Sequence, residues 1–263
     1  MINAVRYGLA TFLTFSKPLT FFGLAIATSI FFLEMSVGGN NELSREGLSY
    51  FGAQTLAMNA LVLFFISVPV AGQFAQEYRF KTITSTLLMV PSRMKLFLSK
   101  TFFALLYALT SVLLMWGFMQ LLGVSQRIVA TGKNYSLFAL TSGNFHWSST
   151  GVDAYARMAA YILGYMLIVI AISVATRSQT LGTLIPFLYL AIVESIAATS
   201  DALIKLKVIQ GPLIPDSFRF FQKGQAWINS DPHYPMAGIY YFGVCLIAFA
   251  SSAVLFSRRS ATN

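Results

Sequence analysis

The sequence predicts an all-α membrane protein with six transmembrane helices. An N-terminal interfacial helix precedes them, an amphipathic cytoplasmic helix separates the second and third spans, and short outer helices separate the fifth and sixth. Three observations predict this. The chain is 56% hydrophobic and only 10% charged, whereas soluble domains carry about 25% charged residues. Its apolar runs match the roughly 20 helical residues that cross a hydrocarbon core. Its positive charge gathers in alternate connections, as the positive-inside rule requires. No composition shift or linker divides the chain, so residues 1–263 read as a single transmembrane domain.

Residues 2–17 place Val5, Leu9, Phe12, Leu13 and Phe15 among polar neighbours. That segment is too polar to span and suited to lying in the interface, and it is expected to be retained rather than cleaved as a leader. Pro18 separates it from a first span at 19–37. Glu34 lies near the outer end of this span, where a carboxylate costs a few kcal/mol unless it snorkels or pairs. It reads either as a pathway-facing acid or as a residue reaching the water beside Gly38-Gly39. The second span, 53–72, is interrupted by Asn59 and Pro69. Asn59 either lines a pathway or bonds a neighbouring helix, the commoner use.

After Gly72 the character changes. Phe74, Tyr78, Ile83, Leu87 and Val90 recur at three- to five-residue spacings, with Gln76, Glu77, Arg79, Lys81, Thr82, Ser85 and Thr86 between them. This is the pattern of an amphipathic helix, expected over 74–90, and Pro91 ends it. Arg79, Lys81, Arg93, Lys95 and Lys100 oppose Glu77 alone, which puts this connection in the cytoplasm. Arg93 and Lys100 are expected to hold it to the lipid headgroups.

The third span is expected at 96–122, followed by a polar outer segment to Asp153. Met115, Trp116 and Met119 read as packing. The fourth and fifth spans, 155–176 and 180–199, are joined only by Arg177-Ser178-Gln179, so they form a tight antiparallel hairpin. Glu194 lies in the outer third of the fifth span, as a functional intramembrane acid or as a structural carboxylate bonded to a neighbouring helix. Helical pieces at 201–209 and near 217–228 precede a last span at 236–256 that ends at Ser257-Arg258-Arg259. Both termini are then cytoplasmic, and most of the net charge of +9 faces that side. No basic cluster interleaved with aromatics stands on a soluble domain, which argues against nucleic acid as a partner.

The order Glu77-Tyr78-Arg79, Thr82-Ile83, Thr86-Leu87, Val90-Pro91, Arg93 and Lys100 resembles the E-Y-R-x-G-T-I-x-x-T-L-x-x-V-P-x-R…K signature of ABC-2 type transporter permeases. Lys81 stands where that family usually has Gly. The stretch 213–227 also resembles the short outer helices that these permeases place before their last span. The resemblance implies that 74–90 is a coupling helix docking into an ATP-binding cassette ATPase, with Glu77, Tyr78, Arg79, Thr82, Ile83, Leu87 and Leu88 at the contact. It implies a second permease copy or a related permease, ATP and Mg bound in the partner subunit, and a bacterial cell membrane. The function implied is the membrane subunit of an ATP-driven exporter.

No G-x-x-x-x-G-K-[ST] is present, so the chain has no phosphate cradle of its own and is expected to need no cofactor. No residue is nominated as catalytic, and the chain is not expected to be an enzyme. His146 and His233 stand in different loops, and a metal site is not expected. Cys245 is single and reads as a small core hydrophobe. The alternative function is an ATPase-independent carrier or membrane assembly factor using Glu34 and Glu194 as proton- or ion-coupled groups.

Overall fold

The computed structural model describes residues 23, 60–79, 92–131, 149–207, 211–228 and 235–258. Among them every regular element is helical. Helix α1 is Ala60–Arg79, α2 Arg93–Thr131, α3 Ser149–Thr176, α4 Gln179–Leu188, α5 Glu194–Lys205, α6 Phe220–Ile228 and α7 Pro235–Arg258. A π-helical turn, Tyr189–Val193, joins α4 to α5, and a 3₁₀ turn, Asp216–Phe218, precedes α6.

Three segments are long and apolar enough to cross a membrane: Arg93–Leu114, Ala156–Thr176 and Met236–Arg258, with mean hydropathies of 1.7, 2.3 and 2.0. Ala60–Ala75 and Gln179–Val193 are shorter apolar helices. The protein is thus an all-helical membrane protein over its described residues. The hydroxyls inside these helices behave as a bilayer demands, bonding carbonyls of their own helix: Thr110 to Leu106, Ser111 to Tyr107, Ser173 to Val169 and Ser251 to Ile247.

Helix α3 is the hub, packing against α1, α2, α4, α6 and α7. Its sequence accounts for this. Met158, Tyr161, Ile162, Tyr165, Met166, Val169, Ile170, Ser173 and Val174, all buried, alternate at three- and four-residue steps and form a continuous inward stripe. The outward faces remain apolar. Leu98, Phe102, Leu106, Leu109 and Leu113 of α2 and Ile239, Leu246 and Ile247 of α7 are exposed, as lipid-facing side chains are.

The α3–α4 hairpin turns at Arg177, whose φ of 55° lies in the left-handed region. Ser178 then caps α4, its hydroxyl accepting from the Leu181 amide at 3.3 Å. Gly182 lets the two helices close, since a Cβ at that position would run into the Ser173 side chain. Gly182→Val is therefore expected to force the hairpin open at the overpacking cost of about 1–3 kcal/mol. A lower unfolding midpoint in detergent is the readout, and an unchanged midpoint would mean that α3 and α4 do not touch there.

Several expected boundaries are corrected. The helix at the position expected for the second span does not end at Gly72 but runs through Arg79, because Gln73–Arg79 holds no breaker and its apolar positions continue the same face. Residues 80–91 lie outside the described residues, as does the expected first span at 19–37. The helix that covers the expected third span is longer than expected, and Gly123–Thr131 is helix rather than loop. The stretch expected as the fifth span, 180–199, is not one regular helix. Pro186 removes a backbone donor, and the π-helical turn follows within a turn.

Candidate functional site

The C-terminal ends of α1, α3 and α7 meet the N-terminal ends of α2 and α4 at one end of the bundle. Ser92 starts α2 there, its hydroxyl accepting from the Lys95 amide at 3.4 Å and its carbonyl from the Leu96 amide at 3.1 Å. Arg79, Arg93, Lys95, Lys100, Arg177 and Arg258 belong to this end, against Glu77.

The site is built on α1. Ile66, Val70, Phe74 and Tyr78 follow at four-residue steps, so one stripe runs from the apolar middle of the helix into its last turn. Phe74 meets Phe97 of α2 at 5.7 Å between ring centroids, and Phe97 stacks on Phe249 of α7 at 5.4 Å. Tyr78 stands edge-on to Phe256 at 6.4 Å, and the Arg177 guanidinium lies over its ring at 5.2 Å. A non-glycine residue in the left-handed region costs about 1–2 kcal/mol. A cation over an aromatic face returns a comparable amount, about 0.5–2 kcal/mol.

Polar ties reinforce the aromatic ones. Lys100, completely buried, donates from Nζ to the Gln73 carbonyl at 2.8 Å. The Gln179 carboxamide donates to the Val68 carbonyl at 3.1 Å, tying the α3–α4 hairpin to α1 a second time. The Gln73 carboxamide is buried without a hydrogen-bond partner among the described residues.

Against expectation, Lys100 points into the chain instead of out toward headgroups, because α2 turns this position onto α1. Arg93 opens α2 and is half-buried. Tyr78, expected on an outward docking face, packs inside against Phe256 and Arg177. Glu77 and Arg79 belong to the last turn of α1, and their side chains fall outside the described set. Thr82, Ile83, Leu87 and Leu88 lie outside the described residues, as do Glu34 and Asn59. Glu194 is the first residue of α5, directly after the π-helical turn, and its side chain is likewise outside. Sequence reasoning did not assign Gln73, Phe97, Arg177, Gln179 or Phe256 to a site. The signal available was the four-residue step from Val70 to Phe74 to Tyr78 across Gly72.

A second cluster occupies the opposite end. The rings of Tyr161 and Tyr241 stack at 5.1 Å, the Tyr241 hydroxyl donates to the Tyr161 carbonyl at 2.7 Å, and Phe221 of α6 packs on Tyr165 at 5.4 Å. Gly224 permits this seat, for a Cβ there would come within 2.8 Å of the Tyr161 ring. Arg219, buried, pairs with both Asp201 oxygens at 2.8 and 3.1 Å and donates to the Ile214 carbonyl at 3.1 Å. The Tyr189 hydroxyl of the π-helical turn donates to the Phe218 carbonyl. Among the described residues, no three His, Cys, Asp or Glu side chains come together as a metal site would need. No family model matches the chain, and neither curated proteins nor solved structures return a match.

Proposed function

We propose that this protein is the membrane subunit of an ATP-driven exporter of the ABC-2 type, working with a separate ATPase. The observation that carries the reading is the ordered motif Glu77-Tyr78-Arg79, Thr82-Ile83, Thr86-Leu87, Val90-Pro91 and Arg93, starting in the last turn of α1 and ending at the first residue of α2. In this reading the basic end of the bundle faces the cytoplasm, because cations in short connections select that side. The six-span layout adds the 19–37 segment to the described helices and takes α4, the π-helical turn and α5 as one broken crossing. Glu77, Arg79, Thr82, Ile83, Leu87 and Leu88 form the docking surface in the cytoplasm of a bacterial cell. A second copy or a related permease completes the pathway.

Energy reaches the pathway only if the nucleotide states of the ATPase differ in how they contact this segment. The packing at the basic end supports such coupling, since α1 is tied there to α2, to the α3–α4 hairpin and to α7. The test is a search for an ATP-binding cassette ATPase encoded beside this chain, followed by copurification of the two proteins. Glu77→Lys and Leu87→Asp are expected to lower retention at least about tenfold, as loss of a central interface contact does. Unchanged retention by both variants would overturn the docking assignment.

A further inference from the structure

Tyr78 stands inside the motif, yet its ring has internal neighbours among the described residues. Phe256, near the end of α7, lies edge-on to it, and Arg177, in the α3–α4 turn, lies over its face. The Arg177 backbone is held in a left-handed conformation that glycine adopts more readily, so the turn geometry does not account for an arginine there. Its guanidinium over the Tyr78 ring gives the side chain a use at that position. The same hairpin reaches α1 again through Gln179 and the Val68 carbonyl. Two ties about ten residues apart on α1 hold the hairpin along nearly three turns of that helix. Tyr78 lies in the last turn of α1, between Glu77 and Arg79 of the assigned docking surface, so a displacement of that turn meets its contacts first.

We infer that Tyr78 is a positioning residue rather than a docking one: it passes displacement of the last turn of α1 to the α3–α4 hairpin through Arg177 and to α7 through Phe256. This rests on the coupling reading above. Both of these contacts use the face or edge of the ring, which phenylalanine keeps. Arg177→Gly removes the other partner, and the backbone there already has a conformation that suits glycine.

The experiment uses the full complex with its ATPase in lipid nanodiscs. Cys245→Ala removes the native thiol, and spin labels at Met94→Cys and Thr180→Cys, both exposed, report the distance between α2 and the hairpin. Distances are compared without nucleotide and with adenylyl imidodiphosphate. The expected result is a nucleotide-dependent shift in the parent and in Tyr78→Phe. Tyr78→Leu and Arg177→Gly should keep ATPase retention within about twofold of the parent but lose the shift. Retention falling in Tyr78→Leu to the level of Glu77→Lys would make Tyr78 a docking residue and overturn the inference. A full shift in both variants, or none in a parent that retains the ATPase, would overturn it and leave the exporter reading standing. A parent that retains no ATPase overturns both. Should Tyr78→Leu fail to fold, Arg177→Gly decides alone.

Discussion

Lys100→Glu is expected to abolish the folded state, while Lys100→Met is expected to be tolerated. The ammonium of Lys100 is completely buried and lies 2.8 Å from the Gln73 carbonyl oxygen. A carbonyl has two lone pairs, so it accepts from Lys100 without giving up its helical bond. A glutamate is shorter and presents acceptors only. Ionised, it faces the carbonyl with like partial charge in an apolar setting, and uncompensated buried charge costs about 3–5 kcal/mol. That approaches the whole stability margin of many proteins. Methionine keeps the length and apolar stem, and replacing a buried ionic group by an apolar one of similar volume is often neutral. Size-exclusion profiles and thermal midpoints in one detergent compare the two variants. Equal behaviour of the two would mean that Lys100 reaches water or headgroups.

The same contact shows what was legible beforehand. The helical class and the transmembrane character could be read from composition and run length, and the α3–α4 hairpin from a connection too short to do anything else. The boundary between the second span and the motif could not. Phe74 and Tyr78 at a four-residue step satisfy an amphipathic surface helix and also the inward stripe begun by Ile66 and Val70, because both have the same period. Only the position of α2 and α7 decides between them, and it favours the stripe. Lys100 misled for a related reason. A lysine near the end of a span usually snorkels outward, and a partner that it finds inside is a backbone carbonyl, to which side-chain patterns are blind. At the opposite end, Pro186 was a visible break, but Tyr189 of the π-helical turn reaches the Phe218 carbonyl and Phe220, contacts between residues about 30 positions apart that no local pattern shows.

That opposite end carries the second large effect. Tyr241→Ala is expected to destabilise the chain by about 3–5 kcal/mol. Tyr241→Phe, which keeps the ring and loses the hydroxyl's bonds to the Tyr161 carbonyl and to the Cys245 side chain, is expected to cost about 1 kcal/mol. Tyr241 is completely buried, stacks on Tyr161 and lies 6.3 Å from Phe221, so it fills the space between α3, α6 and α7. In a bilayer, lipid tails are as apolar as the side chains, so burial itself contributes little and close packing decides helix association. Ile247, six residues along the same helix and 69% exposed, supplies the control. Its truncation to alanine exchanges lipid contact for lipid contact and is expected to change stability by less than about 0.5 kcal/mol. Thermal or denaturant unfolding in one membrane mimetic measures both. If Ile247→Ala proved as costly as Tyr241→Ala, the inward face of α7 would be misassigned, and the seat of α6 against α3 and α7 would fall with it.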